Sequence, residues 1–154
     1  MILAMTEGKH LFRTAEASGL VPGRSCDGCM LCCRLPDIDE LDKPANAACR
    51  HCLQSGGCAI YDQRPALCRD FHCLWRTAAG LDDRWHPNRS GMMIYRQGPQ
   101  LTVLVDPDRE AEWEDGPYRR QLEAWVADAE ESGGYVIVFT GDRVEKLEPP
   151  RSPV

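Results

Sequence analysis

Apolar and polar positions alternate most regularly in the C-terminal half of the chain. Gly91–Arg96 and Leu101–Val105 read as two strands, rich in β-branched, aromatic and other apolar residues. Gln97-Gly98-Pro99-Gln100 lies between them and carries turn residues, so the pair predicts a hairpin. From Pro117 to Glu131 the period changes to that of an amphipathic helix. Leu122, Trp125, Val126 and Ala129 share one stripe, and Gly133-Gly134 stops the run. Tyr135–Thr140 and Arg143–Leu147 predict a second hairpin across Gly141-Asp142. The order ββαββ implies an α+β fold in which a small antiparallel sheet packs with one main helix over 77–148.

The N-terminal half has no such regularity. Thr6 to Ala17 predicts a short helix, closed by Ser18-Gly19 and Pro22-Gly23. Pro36 to Pro44 predicts one acidic helical turn or a loop. Pro65 is placed to open a helix that runs toward Trp75. The chain therefore divides into an N-terminal segment, 1–24, an irregular segment with a short helix, 25–76, the sheet and helix unit, 77–148, and a disordered tail, 149–154. The two middle regions are expected to form one compact domain.

Cysteine usage changes this picture. All nine cysteines lie between Cys26 and Cys73: Cys26, Cys29, Cys32, Cys33, Cys49, Cys52, Cys58, Cys68 and Cys73. Nine is odd, adjacent Cys32 and Cys33 would form a strained disulfide, and the repeated Cys-x2-Cys spacing suits a metal knuckle. All nine are candidate metal ligands. A tetrahedral ion takes four, so two Zn2+ sites with one spare cysteine are expected, or an iron–sulfur cluster. Cys26-x2-Cys29-x2-Cys32 resembles the opening of a bacterial ferredoxin run, but Cys33-Arg34 replaces the x3-Cys-Pro ending. On an ideal helix Cys68 and Cys73 would stand about 140° apart. Either the helix ends near His72 or the two serve different sites. His51 and His72 can replace a thiolate, although with nine thiols none is required. Arg24, Arg34, Arg50, Arg64, Arg69 and Arg76 flank the cysteines and are expected to lower thiol pKa values and orient the sulfurs.

Cys26-x2-Cys29-x2-Cys32-Cys33, then Gly57-Cys58-Ala59-Ile60-Tyr61, Arg64-Pro65 and Cys68-Arg69-x-Phe71-x-Cys73-Leu74-Trp75, resemble the CxxCxxCC (YkgJ-type) cysteine-cluster family. Its members are described as zinc- or iron-chelating proteins, and a related domain occurs in flagellin lysine N-methylases. The match covers Cys26 to Trp75 and extends weakly through Asp106-Pro107 and Trp113 to Pro117. The resemblance implies metal binding through the matched cysteines. It also implies a cysteine just before the Gly-Cys-x-Ile-Tyr run, a place that Cys49 or Cys52 can fill.

Composition narrows the role. The chain of 154 residues has a formal net charge of −6, and thiolates around a divalent ion add negative charge. That disfavours nucleic acid and anionic membranes as partners. From Asp108 to Glu148 twelve acidic side chains face five basic ones, which leaves a solvated face or a basic protein partner open. No secretory leader or membrane span is visible, so the expected compartment is the cytoplasm, where thiols stay reduced. No phosphate loop, GxSxG or HExxH marks an enzyme. The expected function is metal binding with a structural, partner-binding or metal-handling role. The alternative is an iron–sulfur redox protein or modifying-enzyme subunit that uses the cluster for electron transfer.

Overall fold

The structure is a computed structural model that describes residues 20–25, 29, 31–55, 58–66, 68, 71–114 and 116–149, apart from the side chain at 111. The helix expected over 6–17, Cys26, Arg69 and the tail from 150 lie outside the described residues. In chain order the short helices are α1 (Leu31–Arg34), α2 (Leu74–Thr77) and α3 (Pro87–Ser90). Strands β1 (Met92–Gln97) and β2 (Gln100–Val105) follow, then α4 (Glu110–Glu114), α5 (Pro117–Glu131), β3 (Tyr135–Thr140) and β4 (Arg143–Lys146).

The four strands form one sheet in the order β1-β2-β3-β4. β1 and β2 pair antiparallel with Ile94 opposite Val103, and β3 and β4 pair antiparallel with Phe139 opposite Val144. β2 and β3 are parallel, with Val103 opposite Val138. The sheet is therefore mixed rather than antiparallel. Between β2 and β3 the chain passes through α4 and α5, and such a crossover returns it to the end of the sheet where β2 began. Helix α5 stops where expected: Gly133 takes a left-handed φ of 79°, and Gly134 N–H donates to Ala129 O at 2.7 Å.

Side-chain alternation gives the sheet two faces. Met92, Ile94, Leu101, Val103, Val105, Val136 and Val138 point to one face and pack with Leu122, Trp125, Val126 and Ala129 of α5. Trp75, Leu81, Trp85 and Trp113 complete this core, with Trp85 and Trp125 ring centres 4.7 Å apart. Each such apolar side chain contributes about 1.5–3 kcal/mol on burial. The opposite face carries Met93, Tyr95 and Leu104, which pack with Leu31, Leu35, Phe71, Cys29, Cys32 and Cys73. The cysteine segment is thus the cover of the sheet's second face.

Candidate metal centre

Leu31 and Leu35 are four residues apart, so both lie on the helical face that meets β1. Cys32 and Cys33 sit between them on α1, and Arg34, at its end, pairs with buried Asp106 at 2.8 Å. This ion pair ties the vicinal cysteines to the end of β2. After Leu35 the chain loops out and returns through a bridge between Ile38 and Lys43. The acidic stretch forms a 3₁₀ turn over Asp39–Leu41.

The returning chain aligns the next cysteines by backbone hydrogen bonds. Cys49 N–H donates to Cys33 O at 3.0 Å, and Cys52 N–H donates to Cys49 O at 3.0 Å. Cys52 and Cys58 then pair across an antiparallel bridge, and Ala59 N–H donates to His51 O at 2.7 Å. His51 also donates its own N–H to Cys49 Sγ at 3.4 Å. The bond from Cys52 to Cys49 closes a tight turn, while the other links bring distant stretches of the segment together. Ala66 and Cys68 are helical, and Phe71 to Cys73 are not.

The thiols interact as a group. Cys33 lies within hydrogen-bonding reach of Cys32 and Cys52. Donation from Cys32 lowers its pKa to about 6 against the cost of burial, helped by Cys52 and by the charges of Lys43 and Arg64. Cys52 is pushed up to about 11, first by burial and then by the Cys33 charge. Burial also raises Cys68, which the charges of Cys33, Cys49 and Cys58 raise further. At neutral pH Cys33 is a thiolate that accepts from the protonated Cys52. In the reduced, metal-free protein, iodoacetamide at neutral pH is expected to label Cys33 well before Cys52, with a Cys33 rate that levels off once the pH exceeds its pKa of about 6. Peptide mass mapping reads this order; equal rates at the two positions would rule out a stabilised thiolate at Cys33.

A cavity of about 810 Å³ adjoins the cluster, bounded by Cys29, Cys32, Cys33, Cys49, Cys58 and Cys68 together with His51 and His72. Cys52 reaches the group through Cys33. Cys73 packs against both apolar cores and does not line the cavity. The eight described cysteines all carry free thiols. Among the described residues, no three His, Cys, Asp or Glu side chains stand at the mutual geometry of a bound metal. The donor set itself, soft sulfurs around one space, suits a thiophilic ion or cluster. Its sulfurs meet as a hydrogen-bonded group that has to shed protons and rearrange to close on a metal.

The cation beneath the cluster differs from the sequence expectation. Arg24 donates to the carbonyls of Trp75 and Ala78, Arg34 pairs with Asp106, and Arg50 donates to His51. The Arg64 charge acts on Cys33 and Cys68, while its Nε donates to Tyr61 O at 2.8 Å. Tyr61 is exposed, with the Arg64 guanidinium over its ring. The unforeseen residue is Lys43. It is 5% exposed, and its Nζ donates to the carbonyls of Arg34, Pro44 and Ala47 at 2.9, 2.8 and 2.7 Å. Burial lowers its pKa, and the charges of Cys49, Cys33 and Cys52 oppose that. The one sequence signal was its position inside the loop joining Cys33 to Cys49.

Comparison of the chain with protein-family models, with curated proteins and with solved structures returns no match. No helix among the described residues is long and apolar enough to cross a membrane.

Proposed function

We propose that the protein binds metal through its cysteine segment, as Zn2+ or as an iron–sulfur cluster, in a structural, partner-binding or metal-handling role. The observation that carries this reading is the convergence of Cys33, Cys49, Cys52, Cys58 and Cys68 into one electrostatically coupled group. Cys29 and Cys32 border the same cavity and extend the donor set. Lys43 offsets part of the negative charge such a site gathers. The resemblance of the cysteine spacing to the CxxCxxCC family supports the same assignment, and membership of that family is part of the proposal. A reducing cytoplasm is the compartment in which such thiols remain available to metal.

Stepwise titration of the native protein with p-hydroxymercuribenzoate, in the presence of a metallochromic dye, tests the reading. Metal release, or bleaching of a visible cluster band, is expected in proportion to the thiols consumed. Thiol modification that releases neither zinc nor iron would overturn it.

A further inference from the structure

Sulfur ligands stand about 2.3 Å from zinc and close around it, so a closed thiolate site leaves no chamber. Here about 810 Å³ opens beside the cysteines, within the range of small-molecule pockets, about 300–1,000 Å³. Part of the wall belongs to the sheet. Met93 and Tyr95 line the cavity from β1, a strand paired along its length with β2. Phe71 meets Tyr95 edge-on with ring centres 5.2 Å apart. A strand fixed in this way does not move inward to close on an ion, so the apolar floor persists beside the metal.

The charged lining is unequal: Arg64, Arg76 and Arg96 border the cavity against one carboxylate, Asp37, and the Cys33 thiolate. Arg64 lines the same cavity as Phe71 and Tyr95, with its guanidinium over the Tyr61 ring. Guanidinium is the side chain best matched to a carboxylate.

We propose that this chamber binds a small organic carboxylate beside the metal centre, with its anionic end toward Arg64 and its aromatic or aliphatic body against Phe71 and Tyr95. The inference rests on the metal reading above. It makes the centre an open one, with room for a second molecule within reach of the sulfur-bound ion.

The test uses the full chain, reduced and loaded with Co2+, whose sulfur-to-cobalt charge-transfer band reports occupancy. Phenylacetate and octanoate are titrated calorimetrically beside phenylacetamide and octanamide. At least one acid is expected to bind at one per chain, about tenfold more tightly than its amide, a preference of about 1.4 kcal/mol. Arg64→Met, titrated at equal charge-transfer absorbance, should lose that preference. A loaded protein that binds neither acid, or binds acid and amide alike, overturns the inference and leaves the metal reading standing. A protein that develops no charge-transfer band overturns both.

Discussion

Lys43→Met is expected to destabilise the protein by about 2 kcal/mol, because it leaves three part-buried carbonyls without their shared donor. Those carbonyls belong to Arg34, Pro44 and Ala47, at the two ends of the loop between Cys33 and Cys49. Backbone bonds hold the loop beside the lysine: the Ile38–Lys43 bridge, Asn46 N–H to Leu35 O, and Cys49 N–H to Cys33 O. Methionine matches the length of the lysine stem but donates nothing, so packing is kept while the hydrogen bonds are lost. Lys43→Arg keeps the charge and donors but not the compact ammonium, and should fall between the two. Urea unfolding midpoints at fixed m-value read the effect. A loss below about 0.5 kcal/mol for Lys43→Met, the range of ordinary surface substitutions, would show that the ammonium does not organise the loop.

Cys33→Ser is expected to remove most of the bound metal. Cys33 is the member of the cluster that interacts with Cys32 and Cys52 directly and with Cys68 through its charge. A serine hydroxyl does not ionise at neutral pH and is a poor ligand for a soft ion, so a loss of affinity of about 100-fold or more follows. Cys73→Ser is the matched control. Its side chain lies against the apolar cores rather than on the cavity wall. It should retain metal and lose about 1 kcal/mol of stability, because a hydroxyl replaces a partly buried thiol. Metal content by mass spectrometry, measured beside thermal unfolding, separates the two. Equal metal loss in both variants would place Cys73 among the ligands.

The sheet half was legible because its strands and its long helix have clear periods. The helix expected from Pro117 to Glu131 occupies those residues, and the strands differ by a residue or so at their ends. Strand patterns do not encode pairing direction, so the parallel β2–β3 contact was missed. The signal was present in the helix between them, since a helical crossover joins parallel neighbours. Helices α2, α3 and α4 have four or five residues each, too short for a periodic pattern to mark.

At the candidate centre, spacing alone picked out the cysteines but not their grouping. Cys33 meets Cys49 and Cys52 because backbone bonds fold the intervening loop back, and Cys73 turns into the core beside Phe71. Arginines near cysteines in sequence mostly serve carbonyls and carboxylates elsewhere. Lysine is seldom buried, so a lysine amid polar loop residues reads as surface until its three carbonyl partners are seen.

The central claim is that the cysteine segment holds metal. Elemental analysis with an ultraviolet–visible spectrum of protein purified without oxygen tests it most directly. The expected result is at least one zinc or iron per chain, colourless if zinc and brown with broad visible absorption if iron–sulfur. A folded protein with neither metal, in which all nine thiols react freely and chelators leave the melting temperature unchanged, would contradict the account.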